Sequence, residues 1–470
     1  MARIAIHTLG CKLNFAESAT LARTLAEQGH TLTDWEAPAD MYILNTCTVT
    51  HQADRKVHKL LRRAARLSPH AALVVTGCYA QTQPEAFQDI PQVKAVIPNR
   101  DKSRLPERIA ALLHQEPWPD APPPSSAKER TWTFSPGASG EGRTRVFLKV
   151  QDGCDYRCSF CTVPMARGPS RSAPPEIILQ EARQWAEKGY QEIVLTGINL
   201  GDYGKPHGAN LLSLLRLLEA EIPPSVARFR LSSVEPNLLS DAILDFMAEH
   251  PRWAPHFHLP LQSGSDEILR LMRRRYRRAL YENRIAAIHK RFPHAGIGVD
   301  VIVGFPGETP AHFDETHRFL ADLPVSYLHV FPYSERPGTL AASLPNSVPW
   351  PLRLERSEIL RELSLRQRLV FAQSLVGQTF TLLLETETEG LTENYLRVEI
   401  ETPLVPHTLV PFKLESATLT EVGLLVRGQP LAGPAGPLIH SSSAPDVPVA
   451  LPSGPGVSPQ PVVGRPHIFS

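Results

Sequence analysis

Cys154-Asp-Tyr-Arg-Cys158-Ser-Phe-Cys161 follows a strand-like run, Val146-Phe-Leu-Lys-Val150, and sets three cysteines in C-x-x-x-C-x-x-C spacing. Three thiolates this close can hold three irons of a [4Fe–4S] cluster and leave the fourth iron open to a small molecule. An open position is what separates a catalytic metal centre from a structural one. The alternative is a structural zinc knot. Zinc takes four ligands, the local set stops at three, and no histidine follows within the forty residues after Cys161. Gly153 lets the backbone turn closely around the site, and Phe160 either shields it or belongs to the core.

Working outward, apolar runs predict strands at 192–195, 228–231, 256–259, 298–303 and 326–330, with helical segments between them. Six such βα units make a partial parallel barrel, whose active residues lie on the loops after the strands. Upstream, Cys11, Cys47 and Cys78 each follow a short apolar run. Helical patterns follow at about 14–28 and 51–67. Strands alternating with helices imply an open, mostly parallel sheet, with its ligands at the carboxyl ends of the strands. Three cysteines at three strand ends can converge there and hold a second cluster. The alternative is three unrelated small core residues, since free cysteine is often simply buried.

The predicted class is therefore α/β. It comprises an N-terminal open parallel-sheet α/β domain (1–115), a Pro/Gly-rich linker (116–143) and a central partial (βα)6 barrel (144–348). A connecting helix (349–375), a small C-terminal β-barrel (376–430) and a disordered tail (431–470) complete it. The chain of 470 residues is 42% hydrophobic and 21% charged with a net charge of +1, so no global basic excess announces a nucleic-acid partner. The 45 prolines concentrate in the linker and tail. The amino terminus has no secretory pattern and no apolar run is long enough for a membrane span, so a cytoplasmic protein is expected. Six cysteines in such a chain read as metal ligands or catalytic thiols.

The cysteine loop resembles the cluster motif of the radical S-adenosylmethionine (SAM) enzymes. The two triads together resemble the methylthiotransferases. The likeness rests on Gly10-Cys11-Lys12-Leu13-Asn14, Asn45-Thr46-Cys47-Thr48 and Thr76-Gly77-Cys78-Tyr79. It continues through Thr196-Gly-Ile-Asn-Leu-Gly-Asp-Tyr203, Leu259-Pro-Leu-Gln-Ser-Gly-Ser265 and Asp300-Val-Ile-Val-Gly-Phe-Pro-Gly-Glu308. The resemblance implies two [4Fe–4S] clusters, on Cys154, Cys158 and Cys161 and on Cys11, Cys47 and Cys78, with SAM as cofactor. One SAM would methylate a sulfur held on the second cluster, and another would yield the radical that opens C2 of an adenosine. It also implies a tRNA substrate, an external electron donor and a sulfur source. Within the family, Thr196–Gly204, Leu231–Pro236 and Val330–Thr339 look most like the branch acting on N6-threonylcarbamoyladenosine at position 37. Isopentenylated adenosine in tRNA is the alternative, and a ribosomal-protein aspartate a further one.

Thr196, Gly197 and Asn199 match in position the segment that contacts SAM, although a plain βα turn explains them too. Ser232, Glu235 and Gln262 also sit at strand ends and are candidate SAM contacts. Two basic patches could meet phosphate: Arg55, Lys56, Lys59, Arg62, Arg63 and Arg66 on one helix, and Arg270 with Arg273–Arg275, Arg277 and Arg278. Either could equally be a solvated face. Arg167 and Arg171, just past the cysteine loop, are expected near substrate. The C-terminal barrel resembles a TRAM domain, yet residues 376–428 carry three Lys/Arg against eight Asp/Glu. Such a barrel either offers RNA a small non-acidic surface or packs on the larger one. Two other readings differ in class. One is a non-catalytic iron–sulfur or zinc protein that binds RNA. The other is a different radical-SAM enzyme with inert N-terminal cysteines.

Overall fold

The computed structural model describes residues 1–114, 116, 144–205, 208–421 and 423–431. The predicted linker and tail lie, but for their margins, outside the described residues. The chain divides into two units, the first built on residues 1–116 together with Met165–Gly168 and the second on the remainder of residues 144–431.

The first unit alternates strand and helix: β1 (Arg3–Thr8), α1 (Lys12–Glu27), β2 (Thr31–Thr33), β3 (Met41–Thr46), α2 (His51–Leu67), β4 (Ala72–Gly77), α3 (Cys78–Thr82), β5 (Val93–Pro98) and α4 (Leu105–His114). All pairings are parallel, in the order β2-β1-β3-β4-β5. Strand β3 is buried on both faces, as its unbroken Met-Tyr-Ile-Leu run requires. Tyr42 and Leu44 pack with Val57, Leu61 and Ala64 of α2, while Met41 and Ile43 pack with Leu21 and Leu25 of α1 and with Ile109 of α4. Those three α2 positions form a stripe at helical spacing, which leaves every Lys and Arg of that helix exposed. Helix α1 starts two residues earlier than the periodicity suggests, because Cys11 takes the N-cap position. The segment after Cys78 makes only the single short turn of α3.

The second unit begins with β6 (Arg145–Lys149), β7 (Gln151–Asp152), α5 (Val163–Arg167), β8 (Arg171–Ser172), α6 (Pro175–Glu187), β9 (Glu192–Thr196), α7 (Leu211–Glu221), β10 (Arg228–Leu231) and α8 (Asp241–Glu249). It continues with β11 (His256–Gln262), α9 (Asp266–Leu271), α10 (Arg278–Arg291), β12 (Gly296–Val303), α11 (Pro310–Asp322) and β13 (Tyr327–Pro332). The last residues of α5 cluster with the first unit. Strands β6, β9 and β10 form one parallel sheet, and β11, β12 and β13 another. A parallel bridge from Ser233 to His258 joins them, giving the six-strand partial barrel expected. Helices cover the outside: the Phe257 ring lies 5.4 Å from Phe292, and the Tyr281 hydroxyl donates to Leu259 O at 2.9 Å. Residues of opposite parity, including Glu192, Arg230, His258, Asp300 and His329, therefore face inward.

Helix α12 (Trp350–Ser374) leads into a closed barrel of β14 (Thr379–Leu384), β15 (Glu389–Thr392), β16 (Arg397–Ile400), β17 (Leu409–Thr420) and β18 (Gly423–Pro430). Two of these strands, β15 and β17, escape a reading of apolar alternation. Glu389–Thr392 is only four residues long, and β17 carries a bulge between Leu414 and Ser416 that breaks its period. The small barrel closes the amino-terminal end of the large one. Its turn residue Tyr395, at φ 71°, stacks on His256 at 4.2 Å and lies under the Arg230 guanidinium at 5.1 Å. Glu385 pairs with Arg145 at 2.8 Å, and Glu393 lies 3.8 Å from Arg228. Two of the eight acidic residues thus pack against the larger barrel. Beneath them Arg228 and Arg230 share the fully buried Glu192 at 3.0 and 2.7 Å.

Candidate iron–sulfur and SAM sites

In the second unit, the cysteine loop leaves the carboxyl end of β6 by way of β7. Asp152 anchors it. Its carboxylate takes Lys149 at 2.8 Å and Arg171 at 2.7 Å, and accepts the Gly153 N–H at 2.8 Å. Each sulfur meets a donor: Tyr156 N–H to Cys154 at 3.4 Å, the Arg274 guanidinium to Cys158 at 3.2 Å, and Val163 N–H to Cys161 at 3.5 Å. Burial pushes the Cys154 thiol up to about 11 and Cys161 to about 12, and the neighbouring sulfurs add to both shifts. Thiols so placed keep their protons at neutral pH until a metal displaces them. A single tetrahedral zinc, with Zn–S of about 2.3 Å, would hold its sulfurs about 3.8 Å apart. Among the described residues, the group of three ligand atoms lying within 4.8 Å of one another is His258, Asp300 and His329, and neither cysteine triad is that tight. The donor set and its spacing fit a multi-iron cluster better than one ion.

In the first unit, the strand order β2-β1-β3-β4-β5 reverses direction between β1 and β3, where open α/β sheets form their ligand crevice. Cys11 follows β1, Cys47 follows β3 and Cys78 follows β4, so the triad spans the ends of three adjacent strands. Gly10 and Gly77, at φ 101° and 102°, make the turns into Cys11 and Cys78. A Cβ on Gly10 would come within 2.7 Å of Cys47 Cβ, and one on Gly77 within 2.4 Å of Thr46 O. The Asn14 amide donates to Leu9 O at 2.8 Å and to Thr46 O at 3.1 Å, tying two cysteine loops together. Thr46 donates to Thr76 O at 2.6 Å, tying in the third. Burial and the two neighbouring sulfurs push Cys47 to about 12. Asn99 donates to Cys78 Sγ at 3.5 Å. Here too, three thiols at one sheet edge, with no fourth ligand grouped with them among the described residues, fit a cluster.

The comparisons with known proteins agree with this geometry. Residues 148–320 match the Radical SAM superfamily, and residues 3–98 match a family described as Uncharacterized protein family UPF0004. A threonylcarbamoyladenosine tRNA methylthiotransferase of Aquifex aeolicus is 38% identical over 85% of this chain and 97% of its own length. The Bacillus subtilis protein of that name is 37% identical over 85% and 90%. The chain belongs to the radical-SAM methylthiotransferase family. A Coxiella burnetii relative, a tRNA-2-methylthio-N(6)-dimethylallyladenosine synthase, is 32% identical over 89% of this chain and 98% of its own. Among solved structures, the radical SAM methyltransferase TsrM from Kitasatospora setae shares the fold, with a TM-score of 0.55, 16% identity and coverage of 73% and 74%. Membership of the superfamily brings SAM and a [4Fe–4S] cluster as cofactors.

Around the cysteine loop of this methylthiotransferase, the six candidate SAM positions are spread over three strand ends. Gly197 N–H donates to Ser232 Oγ at 3.4 Å, joining the ends of β9 and β10, while the Thr196 hydroxyl turns back to Val194 O at 3.1 Å. The Asn199 N–H is held by Gln151 Oε1 at 2.9 Å, but its buried side-chain amide has no partner among the described residues for either Nδ2 or Oδ1. Such an orphaned amide is where a polar ligand fits. Glu235 pairs with Arg274, which also reaches Cys158. Gln262 takes φ 70° at a bulge in β11. Gln151 and Arg274 escape detection in the sequence. The first lies just past a strand-like run, and the second is hidden in a run of arginines.

Two expectations need correction. Arg167 does not face a substrate. It is buried in the first unit, donating to Glu17 at 2.9 Å and pairing with Asn14, and its charge opposes the upward shift of the Cys11 thiol. Lys102 completes that network, 2.6 Å from Glu17. Arg171 is likewise held by Asp152. The second arginine cluster reaches the surface only in part. Arg274 is buried and Arg278 pairs with Glu315 at 2.6 Å, while Arg270, Arg273, Arg275 and Arg277 stay exposed, Arg275 lying 3.9 Å over the Tyr156 ring. Phe160 packs with Met272, Phe305 and Tyr333 as core.

Proposed function

We propose that this chain adds a methylthio group to C2 of N6-threonylcarbamoyladenosine at position 37 of tRNA. The observation that supports this most is the presence of both a strand-end cysteine triad and a barrel cysteine loop in a chain that aligns with nearly the whole Aquifex aeolicus relative. In this reading Cys154, Cys158 and Cys161 hold the cluster that binds SAM, and Cys11, Cys47 and Cys78 hold a second. Bound there, these groups supply the radical that activates an inert C2–H bond and the methylated sulfur that replaces the hydrogen.

The protein's own contribution is placement and charge. Asp152, clamped by Lys149 and Arg171, fixes the entry to the cysteine loop. Arg274 sets a cation against Cys158, and Arg167 does so near Cys11. The orphaned Asn199 amide and the Gly197–Ser232 pair offer polar contacts to SAM. Tyr395 and the Glu192–arginine set close the barrel floor against water. No helix among the described residues is long and apolar enough to cross a membrane. An external electron donor and a sulfur source complete the requirements, and a cytoplasmic location would put the enzyme with its tRNA.

The test is mass spectrometry of tRNA nucleosides from a host that makes both precursor adenosines but lacks methylthiotransferases of its own. Expression should yield the methylthio form of threonylcarbamoyladenosine. A methylthio form of isopentenyladenosine alone would move the enzyme to the other tRNA branch. Neither product from an iron-loaded protein would reject a tRNA substrate.

A further inference from the structure

One polar cluster in the second unit lies outside the residues assigned above to SAM and iron. His258 on β11, Asp300 on β12 and His329 on β13 stand side by side on the inward face of the partial barrel. Asp300 Oδ1 accepts from His258 Nε2 at 2.8 Å and from His329 Nδ1 at 3.2 Å. An ionised carboxylate only accepts, so each imidazole must donate through that nitrogen. This fixes both tautomers. His258 Nδ1 and His329 Nε2 are left as bare acceptors in the neutral rings, and neither has a partner among the described residues. The side chains are 18, 20 and 28% exposed although they face inward, so the cluster borders open space in the barrel. Strands β11 and β12 run from it directly to Gln262 and Gly304 at the active edge.

Adenine chemistry links this position to substrate choice. C2 and the N6 substituent flank N1 on the same ring edge. A base that presents C2 for reaction therefore presents its N6 arm nearby. A threonylcarbamoyl arm carries a hydroxyl and a ureido N–H as donors, and an isopentenyl arm carries none beyond N6 itself. We propose that the His258–Asp300–His329 cluster is the specificity element of this enzyme, its two bare imidazole nitrogens accepting hydrogen bonds from the hydroxyl and ureido N–H of the threonylcarbamoyl arm. This rests on the function proposed above. A site built to bond such donors rejects an analogue without them, because its own polar groups are then left unpaired.

The test uses the reconstituted holoenzyme and anticodon stem-loop RNAs carrying one of three arms. These are threonylcarbamoyl, its isostere valylcarbamoyl, in which a methyl replaces the hydroxyl, and isopentenyl. The wild type should prefer threonylcarbamoyl over valylcarbamoyl by roughly 10- to 100-fold in kcat/KM. His329→Phe should abolish that preference, with the loss carried by KM. His329→Gln, whose amide oxygen can still accept, should keep most of it. Iron content and thermal melting of each variant show whether it is folded and loaded, and Asp300→Asn, which disturbs both tautomers, serves as an independent second variant. An unchanged preference in His329→Phe and Asp300→Asn would overturn the inference while leaving the function standing. So would equal losses on the threonyl and valyl arms. A further metal ion, present in the wild type and absent from Asp300→Asn, would reassign the cluster as a metal site. Turnover of the isopentenyl RNA alone by the wild type would overturn both readings.

Discussion

At the residue scale, the placement of the six cysteines was legible because each triad sits in a distinctive setting: one in a tight loop, the other after apolar runs. Their partners were not legible. Arg274 lies more than a hundred residues from Cys158, and Arg167 is equally remote from Glu17; only the fold brings them together. Replacing Cys47 with alanine should reduce iron from about eight to about four per chain, because the barrel triad loads without it. Iron that stayed at the higher level would remove Cys47 from the ligands. Glu192 gives a second residue-level prediction. Burial works to raise its carboxyl, but Arg230 and Arg228 outweigh burial and hold it at about 2, below the ordinary value near 4.3. Its stabilising contribution is complete above about pH 4.3 and disappears as pH falls towards 2. Glu192→Gln should cost about 3–5 kcal/mol at neutral pH by leaving two buried guanidiniums short of charge. Urea unfolding should show the gap between wild type and variant narrowing across that acid window; a gap independent of pH would refute the ionised pair.

At the element scale, period-2 and period-3.6 patterns located all six barrel strands and both long charged helices, since each must bury one face. The pattern weakens where an element is short, as in β15, or bulged, as in β17. Of the two basic patches, α2 keeps every cation exposed, whereas the second loses Arg274 to burial and Arg278 to Glu315. Arg55, Lys56, Lys59, Arg62, Arg63 and Arg66 are all exposed, and among the described residues only Arg63 has an acidic partner, Glu36. Charge runs are equally basic in sequence whether or not folding consumes a member, which is why the loss of Arg274 and Arg278 from the second run could not be read there. Helix α2 is therefore expected to meet the phosphates of the RNA. Changing Lys56, Lys59, Arg62 and Arg66 to glutamine should weaken tRNA binding. It should also flatten the salt dependence by about 0.7–0.9 in log–log slope for each phosphate no longer neutralised. A slope identical to the wild type would place the RNA elsewhere.

At the scale of the whole molecule, the acidity of the small barrel, a puzzle in sequence, has a structural use. Glu385 and Glu393 meet Arg145 and Arg228 at the floor of the larger barrel, so part of the negative charge is spent on packing. Tyr395 stacks at the same junction. Nothing in local composition reports such a junction, because it joins segments some two hundred residues apart. The wide spacing of the first cysteine triad has a consequence of another kind, in the order of assembly. Cys154, Cys158 and Cys161 share one loop, so their sulfurs stay within reach of one another even on an extended chain. Cys11, Cys47 and Cys78 approach only after β1, β3 and β4 have paired in register, since each sits just past the end of a different strand. The loop triad can therefore capture iron while the chain is still being made. If the strand-end triad holds the second cluster proposed above, it can do so only once its sheet is complete, and a loaded cluster there would record that the first unit has folded correctly.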